Sequence, residues 1–439
     1  MAQSFDFSIP VLGEATMLSP LKLSKVPNDY LADYTPDEAR IVYDPSGATT
    51  ANYFSLAGPR EHLFFNGENV VAGIVNCGGL CPGMNNVTRG LVRRLWYSYG
   101  VRKIFGFRYG FLGLTTHGPV APMPLDPDVI HDIHLQGGTI LGSSRGPQQV
   151  SEMAETLIGM GINMLFVVGG DGSMRGAMAL YEEIGCRRAK IAIIGVPKTV
   201  DNDMLFVEKT FGFDTAVSIA TDAIRAAHVE AMGYLNGIGL VHLMGRHSGF
   251  IAASAALASR EVNLVLVPEM PFDLQGEHGI LHYLRQRLQR RGHALIVVAE
   301  GAGQEHMPHV QARDASGNLK LADIGIFLRD IIVQEFKQEG ISMKYIDPSY
   351  IVRAAAANVS DSIFCAQLAD EAVHAAMAGK TGMMVGLWLG RFTYVPLAVV
   401  CTGRKTISLD NTFWRNVIEA TGQPQRLKKI LKKETTIEE

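Results

Sequence analysis

Between positions 197 and 203 the chain reads Pro197-Lys198-Thr199-Val200-Asp201-Asn202-Asp203, bringing an amine, a hydroxyl and two carboxylates into one short segment. A carboxylate can take a proton from an alcohol, and an amine can neutralise an anion. The run before it, Ile191 to Val196, has the composition of a buried strand, and ligands in open α/β sheets sit outside the carboxyl ends of strands. Asp and Asn also occur in ordinary turns. Two acids flanking Asn202, just after Lys198, point instead to chemistry at Asp201 and Asp203.

Three glycine-rich turns follow other apolar runs. Gly78-Gly79-Leu80-Cys81-Pro82-Gly83 leads into a helical pattern, where free backbone amides could cradle phosphate. Gly137 to Gly146 contains Arg145, whose guanidinium can meet phosphate oxygens with a bidentate fork. Gly169-Gly170-Asp171-Gly172-Ser173 adds a carboxylate suited to holding Mg²⁺ against a polyphosphate. One such turn is commonplace; three together with the Asp-Asn-Asp cluster indicate phosphate chemistry. A nicotinamide enzyme is disfavoured by spacing. The first turn does not read G-x-G-x-x-G, and no ribose-binding acid stands about 20 residues on.

Strands are expected at Val70–Val75, Leu165–Val168, Ile191–Val196, Gly239–Leu243, Val262–Val267 and Leu295–Ala299. Between several of them lie stretches with helical spacing, such as Val87, Leu91 and Leu95. This alternation predicts an α/β protein with two doubly wound parallel-sheet, Rossmann-like domains. The expected divisions are an N-terminal extension over 1–69, a phosphate-donor domain over 70–212 with part of 353–395, a second domain over 213–352 and a C-terminal segment over 396–439. The chain break is placed near Phe211 to Thr215. The extension shows turn signals such as Val26-Pro27-Asn28-Asp29-Tyr30 and no sustained period, so it should wrap the core.

With 439 residues, 47% hydrophobic and 19% charged, the chain can build large cores. A net charge of −3 offers no basic field for nucleic acid. The Arg285–Arg291 run and the lysines at 428, 429, 432 and 433 read as solvated surface. The absence of a long apolar stretch or a leader pattern predicts a cytoplasmic protein with no membrane partner. The five cysteines should be reduced, with Cys77 and Cys81 packing beside a loop rather than binding zinc.

These motifs resemble, in order and spacing from Val70 to Thr402, the phosphofructokinase family: the GGxxPGxN loop, GGT-x-LGSSR, GGDGS, PKTVDND, Met244-Gly245-Arg246 and the run from Lys344 to Arg353. The long N-terminus and the KYIDPSY run are most similar to the branch with trypanosomal and plant ATP-dependent enzymes. The resemblance implies the phosphofructokinase fold and phosphoryl transfer to the 1-hydroxyl of fructose 6-phosphate. It implies Asp201 as general base, with Thr199, Arg145 and Arg246 in the catalytic set. It further implies ATP and Mg²⁺ near Gly79, Arg145, Asp171, Gly172, Ser173, Gly176 and Lys198, with Asp171 on the metal. Sugar phosphate would meet Thr199, Asp201, Asp203, Met244, Gly245, Arg246, Glu300, Lys344, Tyr350 and Arg353. Family enzymes share sites across subunits, which implies a homo-oligomer, dimer or tetramer, with Arg246 supplied across the interface.

Departures from the family pattern bear on the donor. Lys198 is shared with pyrophosphate-dependent members, whereas those enzymes usually carry Asp where this chain has Gly172. An absent carboxylate removes a barrier to ATP specifically, so ATP is favoured and pyrophosphate is the alternative. The segment Asn236-Gly237-Ile238-Gly239 lacks an Arg found in bacterial members, so bacterial effector behaviour does not transfer. A lipid or nicotinamide-dinucleotide kinase would share GGDG but not PKTVDND. A non-catalytic subunit need not keep Asp201, Asp203, Arg145 and Arg246.

Overall fold

The computed structural model describes residues 5–26, 28–44, 52–116, 118–308, 312–313 and 319–429; Pro27, Lys432 and Lys433 lie outside them. By internal contacts the chain forms two units. The first comprises Met1–Ala216, Arg313–Asn318 and Tyr350–Lys405; the second comprises Val217–Ala312, Leu319–Ser349 and Thr406–Glu439.

Among the described residues, the first unit holds a nine-stranded sheet. Five neighbouring strands are parallel, in the order Met383–Trp388, Ala192–Pro197, Met164–Gly169, Val71–Asn76 and Lys103–Phe107. Met164–Gly169 and Ala192–Pro197 are buried at every position, because helices cover both faces of a parallel sheet and leave no solvated side. That burial explains why both read as unbroken apolar runs. The parallel core carries antiparallel strands at its margins. Arg391–Pro396, Tyr53–Leu56 and Arg40–Val42 add antiparallel strands at one edge, and Met123–Pro124 adds one at the other.

Two of those strands come from the first 69 residues, so that segment is built into the first unit's sheet. Phe5 and Phe7 also meet Phe206 edge-on, and the Phe206 ring is near Tyr43 and Phe54 as well. By internal contacts the chain from Pro396 to Lys405 groups with the first unit. The helix Phe213–Met232 spans the 216/217 division.

Among the described residues, the second unit holds a four-stranded parallel sheet in the order Leu264–Leu266, His293–Ala299, Gly237–Leu243 and Ser342–Ile346. Ser342–Ile346 was missed because it is an edge strand with every residue half-buried, which leaves no apolar run to read. On the helix Ile280–Arg291, Arg285 donates to Glu335 and Glu339, as a solvated helix face would. All five cysteines are free thiols, and burial pushes Cys77 and Cys81 up to about 12, which suits packing rather than reactivity.

One buried charge makes stability depend on pH. On the helix Val359–Met377, Glu371 is pushed up to about 7, mainly by burial, and its Oε2 has no hydrogen-bond partner among the described residues. Its ordinary value is 4.5, so the folded state holds the proton more tightly than the unfolded state does. This contribution is complete below that value and is lost as pH rises through about 7. Glu371→Gln should therefore raise the melting temperature at pH 8, by about 2–4 °C, with the gain shrinking towards pH 5. Differential scanning calorimetry across that range would count against this account if the offset were constant.

Candidate active site

Three adjacent parallel strands, Val71–Asn76, Met164–Gly169 and Ala192–Pro197, end on the same edge of the first sheet, so the loops that follow them must converge. Lys198 spans two of these loops. Its backbone N–H donates to the Gly169 carbonyl at 3.0 Å, and its Nζ donates to the Gly79 carbonyl at 2.7 Å. Burial lowers the Lys198 ammonium below the usual lysine range, with Arg145 and Arg353 acting in the same direction. Ser143 Oγ donates to the Gly78 carbonyl at 2.5 Å, which joins the Gly137–Gly146 segment to the same loop. Arg145 Nη2 lies 3.1 Å from where a Cβ on Gly79 would stand. Gly79, Arg145, Lys198 and Arg353 thus belong to one cationic neighbourhood.

The segment from Lys198 to Asp203 is stiffened from within. Thr199 Oγ1 accepts from the Asp201 amide at 3.2 Å and donates to Asp203 Oδ1 at 3.2 Å. Asn202 takes a left-handed φ of 54°, and its amide side chain accepts from Thr210 N and donates to the Glu208 carbonyl. These bonds supply local partners for a loop whose backbone leaves the sheet.

Asp171 opens the helix Asp171–Cys186 and accepts from Arg175 Nη1 through both oxygens at 2.7 Å. Arg404 Nη2 donates to Asp171 Oδ2 at 2.7 Å, while its Nη1 reaches Asp203 Oδ2 at 3.4 Å. Asp171 and Asp203 therefore face one cationic group. No cluster of three or more His, Cys, Asp or Glu side chains converges among the described residues. A pair of carboxylates with no nitrogen or sulfur ligand fits Mg²⁺, which is commonly held by one or two carboxylates plus substrate phosphates.

Two glycines on the Asp171 helix differ in what surrounds them. A Cβ on Gly172 would meet no heavy atom within 4 Å, so this position opens onto free space. A Cβ on Gly176 would stand 2.6 Å from Phe111 Cε2; close packing against that ring accounts for this glycine. Ser173 lies one residue beyond Gly172, with its backbone N–H donating to the Gly170 carbonyl at 2.9 Å.

In the second unit, strands Gly237–Leu243 and His293–Ala299 are paired, and their ends bring Met244–Arg246 beside Glu300. Glu300 N donates to the Leu243 carbonyl at 2.9 Å and Gly301 N donates to the Gly245 carbonyl at 3.0 Å. Gly245 is required here, because its φ is +131° and a Cβ would lie 2.5 Å from the Ser248 carbonyl oxygen. Met244 is buried.

Lys344 is not brought to that turn within its unit. It pairs with Gly239, four residues before Leu243, or about 13 Å at about 3.3 Å per residue. Its Nζ is 3.5 Å from Glu230 and 4.3 Å from the centre of the Tyr234 ring. Tyr350, 84% exposed, and Arg353 group with the first unit.

Several residues of these sites were not foreseen. Arg175 and Arg404 hold Asp171. Glu269 accepts from Gly249 N with both oxygens at 3.1 Å and from Ile407 N at 2.9 Å, tying the turn before helix Phe250–Ser259 to the chain after the second division. His242 Nδ1 is 3.3 Å from Asp347 Oδ2, a bond that helps hold the Asp347 carboxyl below its ordinary range. Glu269 follows an apolar run just as Glu300 does, so the same strand-end rule could have found it. Arg404 carried no such signal.

The sequence profile of the Phosphofructokinase family matches residues 71–376. The ATP-dependent 6-phosphofructokinase of Borreliella burgdorferi is 45% identical, with 97% of this chain and 98% of that protein covered. Arabidopsis thaliana ATP-dependent 6-phosphofructokinase 7 is 46% identical over 85% of this chain and 78% of its own. The Trypanosoma cruzi ATP-dependent 6-phosphofructokinase is 44% identical over 83% and 76%. Among solved structures, a pyrophosphate-dependent phosphofructokinase from Nitrosospira multiformis superposes with a TM-score of 0.67 at 20% identity, covering 83% of this chain and 94% of the other.

Proposed function

The chain belongs to the phosphofructokinase family, and on that premise we propose that it transfers the terminal phosphoryl group of ATP to the 1-hydroxyl of fructose 6-phosphate, giving fructose 1,6-bisphosphate and ADP. The observation that carries the choice of ATP is the open space at Gly172, in agreement with the ATP-dependent names of relatives 44–46% identical to it.

In this reading the first unit is the donor half and the second the acceptor half. Gly79, Arg145 and Lys198 meet donor phosphates, Gly172 and Ser173 line the nucleotide's path, and Gly176 shapes the helix behind them. Asp171, with help from Asp203, would hold Mg²⁺. When bound with the donor, Mg²⁺ supplies neutralisation of the charge on its phosphate oxygens. Asp201 takes the proton from the sugar hydroxyl while Thr199 steadies the loop. Met244, Gly245 and Glu300 seat the sugar, and Arg246 stabilises charge that develops during transfer. Lys344, Tyr350 and Arg353 neutralise or contact the 6-phosphate.

Lys344 lies apart from Met244–Arg246 in its own unit, and Tyr350 and Ile351 are exposed. Both fit a homo-oligomer, a dimer or the expected homotetramer, in which a neighbouring copy completes the sugar-phosphate site. No helix among the described residues is long and apolar enough to cross a membrane, and a glycolytic role in the cytoplasm is part of the same proposal.

Pyrophosphate-dependent transfer is the second reading, and Lys198, with its Nζ on the Gly79 carbonyl, is the observation that favours it. Initial rates with fructose 6-phosphate and Mg²⁺, comparing ATP with pyrophosphate, decide between them. Turnover with ATP is expected; faster turnover with pyrophosphate would reverse the assignment.

A further inference from the structure

Arg404 stands in an unusual place for a residue of a C-terminal segment. It follows the helix Leu397–Val400 and is drawn to the catalytic loop by its neighbours: Lys405 N donates to the Asp203 carbonyl at 2.9 Å, and Arg404 bridges to Met204. Lys405 Nζ donates to the carbonyls of Val207 at 2.8 Å and Glu208 at 2.9 Å. The segment is thus fastened to Asp203 and to the residues that follow it. From that anchorage one guanidinium spans two carboxylates, Asp171 at 2.7 Å and Asp203 at 3.4 Å.

Both carboxylates are largely shielded from solvent, with side-chain exposures of 13% for Asp171 and 8% for Asp203. Two such anions facing the same guanidinium repel each other unless a cation lies between them. Arg175 cannot fill that role for both, because it is bound to Asp171 alone, one turn along its own helix. The group between the two is Arg404. Unlike a metal ion it is covalently attached, always charged and always present.

We infer that Arg404 is an exchangeable internal counter-cation: its guanidinium occupies the charge position between Asp171 and Asp203 when no donor is bound, and yields it to a divalent cation that arrives with donor phosphates. This inference rests on the reading of Asp171 and Asp203 as the Mg²⁺ side of the donor site. A bare divalent ion must displace Arg404 into solvent, where only water replaces its lost carboxylates. An ion carried by a polyphosphate brings acceptor oxygens, and the freed guanidinium can pair with them. The site therefore discriminates against free metal and favours the metal–donor complex. Arg404 is in this sense a positioning residue that also sets which form of the metal is admitted.

The test is titration of the full-length protein with Mn²⁺ alone, with free Mn²⁺ followed by electron paramagnetic resonance. Removing the fixed positive charge in Arg404→Met should tighten binding of Mn²⁺ in the absence of nucleotide by at least about tenfold, since one charge at close range in a partly buried site is worth that much or more. Asp171→Asn in the Arg404→Met background should abolish the gained site. Arg404→Gln, a second neutral side chain and a polar one, should show the same gain if the methionine variant folds poorly. Mn²⁺ affinity in both neutral variants equal to that of the unaltered protein would overturn the inference and make Arg404 a permanent structural clamp. A separate titration in the presence of ATP tests the underlying reading. If Asp171→Asn leaves binding of the Mn²⁺–ATP complex unchanged, the assignment of Asp171 to the metal fails, and the inference fails with it.

Discussion

Replacing Asp201 by asparagine is expected to lower turnover with ATP and fructose 6-phosphate by at least about 10²-fold, the usual contribution of a positioned general base. The substitution keeps the shape of the side chain and leaves the Asp201 amide bonded to Thr199 Oγ1, so the loop should hold its form. The carboxylate's ability to accept a proton is what disappears. Binding of fructose 6-phosphate, measured by calorimetry without donor, should change little, because Met244, Gly245 and Glu300 stand on another sheet and are untouched. A loss confined to turnover is the mark of an interaction made in the transition state. Near-normal turnover would remove Asp201 from the role of base. A large loss of sugar phosphate affinity would instead make it a binding residue. Some catalysis should survive in the variant, because Lys198, Arg145 and Arg246 would continue to neutralise the transferring group.

Gly172→Asp is expected to cripple the use of ATP while leaving the fold intact. The added Cβ enters open space, and Gly172 is not among the positions with positive φ. It lies in the first turn of the helix Asp171–Cys186, where a carboxylate is stabilised by the amide end of the helix dipole. Thermal stability should therefore hold or rise slightly. The new charge would oppose the phosphates of the nucleotide at short range, and about 3 kcal/mol of repulsion at an effective dielectric near 20 corresponds to an increase in KM for ATP of about 10²-fold. The KM for fructose 6-phosphate should move little. Steady-state kinetics with each substrate varied in turn separates these outcomes. Unchanged ATP kinetics would show that position 172 does not govern the donor, and equal losses towards both substrates would point to a general disturbance of the site.

The two substitutions test different halves of the reaction. In the proposed reaction Asp201 concerns what happens to the acceptor hydroxyl, whereas Gly172 concerns which donor can approach. The Arg404 titration is independent of both, because it reads metal binding in the absence of turnover.

Much of the candidate site in the first unit was legible in the sequence because its motifs share a local cause. Each of Gly78–Gly79, Gly169–Ser173 and Lys198–Asp203 directly follows an apolar run long enough to be recognised as a buried strand. The same rule found Met244–Arg246 and Glu300. It did not find Lys103–Phe107 or Ser342–Ile346, whose burial alternates or is only partial. The first 69 residues showed no period because their strands are short additions at a sheet edge, given sense only by the strands they join. Gly176 carried the same letter as Gly172, but only the position of Phe111 revealed that one is filled space and the other is empty.

By itself the sequence determined which residue types end each strand, and with them the family and its phosphate chemistry, since those depend on patterns a few residues long. Only the tertiary structure decided what those residues meet. Parallel pairing of three strands brings Gly79, Asp171 and Lys198 to one edge. A guanidinium 233 positions away from Asp171 becomes its partner, while Lys344, inside a recognised motif, is held by Glu230. Ionic and hydrogen-bonded contacts act over a few ångströms of space without regard to distance along the chain, so no local pattern can announce them.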